Sequence, residues 1–333
     1  MLKHSSFVSV VIVNYNGFEY LRKCLASLLH SEYPFYEIII VDNGSTDGSV
    51  SRIKREFEEH QNRIVILDLP NNLGFAIGNR IGANKAVGEY ILFLNNDTKV
   101  EPSSLSELVN VMDRDPSIGV AQAKILLMDK PDTFDCAGMT LSVFGDARQR
   151  GENKKDVGQY DQMDEISCAK GAAMVVRKEI WNSLDGFDPL FFVNSEESDF
   201  CWRVWLSGYR VVFAPSAKVY HVRAATTTKL APYFLIFQYY RNQIVTVAKN
   251  LSLKNLIKYT PGIVGLQLIQ VVLHIRRNRP MSILGNLRGV AWCLVFFNKV
   301  WIKRLTVQGG RVVNDEDLFD RGAILRRACL FLK

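Results

Sequence analysis

Four stretches of this chain place a polar or acidic residue just past a run of apolar residues: VVIVNYNG, ending at Asn14, Tyr15 and Asn16; EIIIVDNGSTDG, at Asp42; YILFLNNDT, at Asn95, Asn96 and Asp97; and FFVNSEESDFCWR, at Glu196, Glu197 and Asp199. Short apolar, β-branched runs bounded by Gly, Asn, Asp and Ser read as buried strands. When such strands alternate with helices, they build a mostly parallel sheet covered on both faces, and ligands bind beyond the carboxyl ends of its strands. The four polar clusters fall at that edge.

The intervening segments fit this α/β reading. Strands are expected at Val8–Asn14, Glu37–Val41, Ile64–Asp68 and Tyr90–Leu94. Between them, Tyr20–Leu29 carries Leu21, Cys24, Leu25, Leu28 and Leu29 at helical spacing, Ser49–His60 reads as a charged helix with Thr46 and Asp47 as cap candidates, and Gly74–Ala86 opens a third helix. A helix at Leu105–Met112, strands at Val120–Leu127, Met174–Val176 and Arg210–Ala214, and a helix at Glu197–Ser207 continue the alternation. The polar, aperiodic residues 146–165 read as a mobile surface loop near the site.

With 333 residues, 48% of them hydrophobic, the chain can bury a large core. Its first residues lack the small-residue cleavage site of a secretory signal, so a cytoplasmic location is expected. Six scattered cysteines without a CxxC pair suit buried thiols better than a disulfide framework or zinc knuckle. Charge divides the chain: from Phe200 to Asn314 there is no Asp or Glu against 17 Lys and Arg. That stretch should seek an anionic surface, either phospholipid headgroups or nucleic acid.

Beyond residue 228 the composition turns aromatic and basic. Helices are expected at Tyr233–Arg241, Gly262–Ile275 and Gly289–Ile302. The apolar runs in the last two are each about fourteen residues, short of the roughly twenty that a spanning helix needs. With Arg276, Arg277 and Arg279 after one and Lys299, Lys303 and Arg304 near the end of the other, they suit helices lying in or re-entering the membrane interface, or packing as core helices.

The polar clusters each admit a chemical role beside a structural one. Asp42 opens a tight turn and can cap the next helix, but a carboxylate at the sheet edge can also accept a hydrogen bond from a nucleobase or ribose hydroxyl. Asp97, preceded by two amides, suits Mg²⁺ or Mn²⁺ bridging a diphosphate. Glu196, Glu197 and Asp199 suit the first turn of a helix, where the dipole favours negative charge. The aromatic neighbours Phe191, Phe192 and Trp202 would also raise a carboxyl pKa toward that of a general base. His221, ending a strand-like run, is either structural or a metal ligand.

Taken in order, VSVVIVNYNG, IIIVDNGSTDGS, NNLGFAIGNRIG, YILFLNNDT, KGAAMVVRKEIWNSLDGFDPLFF, EESDFCWRVWLSGYRV and VYHVRAAT resemble the motifs of inverting family-2 glycosyltransferases of the GT-A fold, in particular their rhamnosyltransferase-like branch. The resemblance covers about residues 8–228. It implies a GT-A catalytic domain over 1–228, with a nucleotide-binding half to about residue 100 and an acceptor half from 101, then a membrane-adherent helical region over 229–333. It further implies that Asn14, Tyr15, Asn16, Asp42, Asn79, Arg80, Asn96 and Asp97 hold the nucleotide, and that Asp97 with His221 holds a divalent cation, Asn95 replacing the first acid of the family's DxD motif. Glu197 stands where the family has its presumed base, with Glu196 and Asp199 as alternates.

The implied reaction is inverting transfer from a nucleoside-diphosphate sugar, dTDP-rhamnose or else a UDP-hexose or UDP-N-acetylhexosamine, to a lipid-diphosphate-linked or glycan acceptor in surface polysaccharide synthesis. The implied location is the inner face of the cell membrane. Two other classes compete. A dinucleotide-dependent oxidoreductase would carry a glycine fingerprint after its first strand, where this chain has NYNG. A basic nucleic-acid-binding or membrane-binding protein without transferase activity could use the C-terminal half, although its long apolar runs favour membrane, so no nucleic-acid partner is expected.

Overall fold

The computed structural model describes residues 6–223 and 231–329, so the expected boundary near residue 228 lies outside the described residues. The first hundred residues alternate as expected: β1 (Val8–Asn14), α1 (Phe18–Leu29), β2 (Tyr36–Asp42), α2 (Ser49–Glu56), β3 (Ile64–Asp68), α3 (Phe75–Lys85) and β4 (Tyr90–Leu94). Leu21, Cys24, Leu25 and Leu28 form the buried stripe of α1. The strands pair in parallel in the order β3-β2-β1-β4. The chain thus leaves β1 toward one side and returns at β4 on the other. That reversal splays the loops after β1 and β4 and opens a crevice at their carboxyl ends.

Past β4 the sheet ceases to be parallel. β5 (Thr98–Val100), α4 (Ser104–Arg114), β6 (Ile118–Leu127), β7 (Phe134–Cys136), β8 (Met139–Leu141), β9 (Ala147–Gln149), β10 (Asp164–Glu165), β11 (Ala173–Arg177), α5 (Lys178–Ser183), α6 (Glu196–Leu206) and β12 (Arg210–His221) follow. β11 inserts antiparallel between β4 and β6, and β12 runs parallel to β6, completing the order β10-β12-β6-β11-β4-β1-β2-β3. β12 is longer than expected. Its second half pairs with β5 and carries His221 opposite Thr98, across a register shift between Ala214 and Lys218.

Residues 146–165 depart from the expected free loop. They contain β9 and β10, and the buried ammonium of Lys124 ties them to the sheet through Asp156 at 2.8 Å and Asp161 at 2.6 Å. All six cysteines are unpaired and buried.

The C-terminal region comprises α7 (Pro232–Asn250), α8 (Leu253–Arg276), α9 (Pro280–Val295), α10 (Phe297–Gly309) and α11 (Asp315–Asp320). Helix α7 is a core element clamped to the sheet-bearing part of the chain. Lys249 reaches Asp188 and Asp199, Arg241 donates to Leu190 O at 2.7 Å, and Asn242 donates to Val193 O and Asn194 O at 3.0 and 2.6 Å.

Helix α8 corrects the length argument. Only its Asn255 is buried, and it runs 24 residues, or about 36 Å at 1.5 Å per residue, because the helix continues N-terminal of its apolar run. By length and composition it could cross a membrane. Helices α9 and α10 meet at a bend of 71°. Lys303 and Arg304, expected at an interface, face inward: Lys303 pairs with Asp188 at 2.7 Å, and Arg304 donates to Ala248 O and Leu251 O. Arg276, Arg277, Arg279 and Lys299 are exposed.

Candidate active site

The crevice beyond β1 and β4 is a cavity of about 350 Å³. One end is rich in amides and includes Tyr15, Asn43, Asn72 and Asn96. Asn43 holds this end in shape, donating to Asn72 and to Gly74 O and accepting from Leu73 N. Gly74 has φ +88°, and a Cβ there would lie 2.5 Å from Phe192 O, so only glycine lets the segment before α6 close over the start of α3.

Asp97 and His221 meet at the middle of the cavity. The register of β5 and β12 brings them together, with Val222 N donating to Asp97 O at 3.0 Å. His221 Nε2 lies 3.2 Å from Asp97 Oδ1, and its Nδ1 lies 2.7 Å from Asp135 Oδ2. Burial disfavours the imidazolium, yet the neighbouring carboxylates of Asp135 and Asp97 outweigh it, and the His221 pKa is raised. Asp97 Oδ1 is buried without a hydrogen bond. An unsatisfied carboxylate oxygen beside an imidazole nitrogen is a donor pair that fits Mg²⁺ or Mn²⁺. No group of three His, Cys, Asp or Glu side chains placed to hold a metal occurs among the described residues, so further ligands would come from a bound diphosphate and water.

Asp135 organises a cationic wall. It is fully buried on β7 and binds Lys170 Nζ at 2.6 Å and Arg223 Nε at 2.8 Å as well as His221. Burial alone would raise its pKa, but His221 and Lys170 hold the carboxyl far below its usual range. Lys170, Arg223 and His221 all line the cavity, three nitrogen bases gathered around one carboxylate. Lys170 and Arg223 sit within the KGAAMVV and VYHVR segments, where their basic character was visible. Asp135 carried no sequence signal, because a lone acid in a three-residue strand looks like any surface acid.

The same cavity also has an acidic lining. Asn194 and Ser195 both adopt left-handed backbone conformations, φ 68° and 71°, making a sharp turn that starts α6 at Glu196. Residues other than glycine hold such angles only when their surroundings enforce them. Here Asn242 of α7 does so by donating to Val193 O and Asn194 O. Glu196 and Glu197 both line the cavity, and the Oε2 of each is buried without a hydrogen-bond partner. Burial and the charge of Glu197 push the Glu196 pKa well up, and burial raises Glu197 less, with a hydrogen bond from Glu196 acting against the rise. Burial thus disfavours the two carboxyls being charged together.

Other expected site residues are placed elsewhere. Asp42 is buried behind the cavity, accepting from Asn14 Nδ2 at 2.9 Å and Ser45 N at 2.8 Å, while Asn14 in turn accepts from Asn96 at 2.8 Å. These two lock the ends of β1 and β2 and orient Asn96 from behind. Asn16 Oδ1 accepts from Thr46 N at 2.7 Å. Asn79 is turned into its own helix, donating to Phe75 O, and Arg80 grips the 185–187 turn through Asp185 at 2.9 Å and Phe187 O at 2.8 Å. Asp199 is fully buried among Arg203, Lys249 and Asn250, one helical step past the residues that face the cavity. It does not line the cavity, and its carboxylate is held by these partners.

Residues 9–168 match the family described as Glycosyl transferase family 2, and residues 90–302 match Glycosyl transferase family group 2. The chain belongs to the family-2 glycosyltransferases. The transferase is similar to the O-antigen biosynthesis protein RfbC of Myxococcus xanthus, 28% identical over 246 residues that cover 70% of this chain and 19% of that one. It is also similar to the N-acetylglucosaminyl-diphospho-decaprenol L-rhamnosyltransferase of Mycobacterium tuberculosis, 26% identical over 66% of this chain and 76% of that one. The chain spans a quarter or less of the length of three of its curated relatives. Its fold is that of GT-A glycosyltransferases: GalNAc-T7, solved with UDP, GalNAc and Mn²⁺, superposes with a TM-score of 0.62 at 16% identity, covering 73% of this chain and 48% of that one.

Proposed function

We propose that this transferase moves a sugar, with inversion, from a nucleoside-diphosphate sugar to a hydroxyl of a lipid-linked glycan in the synthesis of a surface polysaccharide. The observation that carries the reading is the gathering of two chemistries in one cavity: Asp97, His221, Lys170 and Arg223 with the buried carboxyls of Glu196 and Glu197. Such a cavity suits a substrate that is anionic at one end and must lose a proton at the other.

The nucleoside lies along Tyr15, Asn43, Asn72 and Asn96, an amide-rich end whose shape Asp42 and Asn14 maintain from behind. A divalent cation held by Asp97 and His221 would supply positive charge to the diphosphate. Lys170 and Arg223 add to that charge as the diphosphate departs. Asp135 orients the His221 ring, as carboxylates behind ligating histidines do. Glu197 accepts the proton of the acceptor hydroxyl while that oxygen attacks the anomeric carbon from the face opposite the leaving group. Its raised pKa strengthens it as a base.

The donor we favour is dTDP-rhamnose, in line with the mycobacterial relative named as a rhamnosyltransferase. A UDP-hexose or UDP-N-acetylhexosamine is the alternative. For location we propose the cytoplasmic leaflet, with the exposed apolar side of α8 against the membrane and Arg276, Arg277 and Arg279 at anionic headgroups, each contributing about 1 kcal/mol.

The test is a pair of variants assayed with Mn²⁺ and a panel of nucleotide sugars. Glu197→Gln should lower transfer by about 10²- to 10⁴-fold, the usual worth of a general base, while leaving thermal stabilisation by the donor intact. Asp97→Asn should weaken both. Unimpaired transfer in Glu197→Gln would remove that residue from the role of base, and a chain stabilised by none of the sugars would overturn the donor reading.

A further inference from the structure

A second cavity, of about 360 Å³, lies between the β8–β9 hairpin and helices α7 and α8. Its wall mixes ring faces from Phe144, Tyr239 and Tyr240 with the amides of Gln243, Gln267 and Gln270. Tyr239 is 42% exposed. Sugars present just such a pair of surfaces, an apolar C–H face and a rim of hydroxyls that each donate and accept. Aromatic faces meet the first and amides, which also donate and accept, meet the second.

Two other ligand classes fit less well. A bare diphosphate would meet the Asp146 carboxylate, which accepts from the Ser142 hydroxyl, beside the Arg148 guanidinium, so the wall offers it no net positive charge. A prenyl chain filling the cavity would cut the amides off from water without giving them partners.

The cavity also occupies the right place. Strand β9 is a wall shared with the catalytic cavity: Arg148 lines the second cavity, whereas the next residue, Gln149, lines the catalytic one, where Lys170 donates to it at 2.9 Å. The two cavities thus adjoin along β9, with Ala147 and Arg148 on one and Gln149 on the other, so a chain of sugars lying across the strand touches both. On its other side the cavity is bounded by α8, which contributes Leu266, Gln267 and Gln270 to the wall and exposes Val264, Leu268, Ile269 and Val272 elsewhere on its surface. A Cβ at Gly262 would lie 2.6 Å from the Phe144 ring, so α8 seats directly on the hairpin tip and the wall is fixed.

We propose that this second cavity is a saccharide subsite that holds an inner sugar of the acceptor while the terminal sugar lies beside Glu197. The proposal rests on the transferase reading above and deepens it: the acceptor carries at least two sugars, so a different transferase must have acted on the lipid beforehand.

The test uses saturation-transfer NMR on the full chain with cellobiose, maltose, lactose and N,N′-diacetylchitobiose. At least one disaccharide should receive saturation from the wild type, and its binding should weaken at least tenfold in Ala147→Trp, which fills the cavity, and in Gln270→Ala, which removes a wall amide. Stabilisation by UDP or dTDP with Mn²⁺, read by thermal shift, should be unchanged in both variants. Binding of none of the four, binding that survives both substitutions, or displacement of the sugar by geranyl diphosphate would overturn the subsite. Loss of nucleotide stabilisation in the wild type would instead count against the donor site, leaving the saccharide signal to be judged by itself.

Discussion

Replacing Lys249 by Met should cost this protein about 3–5 kcal/mol of stability at neutral pH, and the cost should shrink in acid. Lys249 is 2% exposed, and its ammonium sits between Asp188 and Asp199. Methionine nearly matches the stem but leaves two buried carboxylates short of a cation, and breaking a buried pair in this way costs about 3–5 kcal/mol. Asp188 retains Lys303, and Asp199 retains Arg203 and Asn250, so the lower part of that range is the better expectation.

The pH dependence follows from Asp188. Burial pushes its carboxyl up, but Lys249 and Lys303 overcome this and hold it well below the usual range. A carboxylate depressed by folding contributes stability that is complete above its unfolded pKa of about 3.9 and is lost as the pH falls through its folded value. The wild type should therefore lose stability in acid. The variant, in which the depression is reduced, should lose less, and the two should begin to converge as the pH falls below about 4. Urea unfolding of both proteins from pH 7 down to about pH 2 measures this directly. A difference under about 1 kcal/mol at pH 7, or one that stays constant with pH, would refute the assignment of Lys249 as the cation of this cluster.

Two further outcomes can be checked. Asn242→Ala should lower kcat while leaving the KM for the donor nearly unchanged, because it releases the left-handed turn that presents Glu196 and Glu197 without touching the nucleotide end; an equal rise in donor KM would refute this. Substituting Arg276, Arg277 and Arg279 together by Ser should reduce sedimentation with vesicles containing anionic lipid, with the wild type losing the same binding as salt is raised; unchanged partition would place the attachment elsewhere.

Much of the nucleotide-binding half could be read in the residues because its signals are local. β3 and β4 have the expected ends, and α1, α2 and α3 differ from expectation by a few residues at their boundaries. The encounter of Asp97 with His221 was implied by family resemblance, and the pairing of β12 with β5 accounts for it. What could not be read was direction. Asp42, Asn79, Arg80 and Asp199 have the right chemistry at nearly the right positions, yet each is consumed by a structural partner. A helix start explains why Glu196 and Glu197 face the cavity and Asp199 does not, but only once the turn at Asn194 and Ser195 sets the rotation of α6. The organising role of Asp135 depends on contacts with residues 35 and 86 or more positions away, which periodicity does not report. The apolar run within α8 was recognised, but the helix extends beyond it through residues that are helical without being apolar.

The grip of α7 on the segment from Asp188 to Asp199 means that the helical region is no detachable anchor. Cutting the chain between His221 and α7 would strip the glutamate turn of its brace and Asp188 of both its cations in a single stroke. A more soluble form of this enzyme is better sought by recolouring the outward face of α8 with polar residues than by shortening the protein. Whatever tugs on the far helices, a bilayer included, is mechanically within one helix of Glu196 and Glu197.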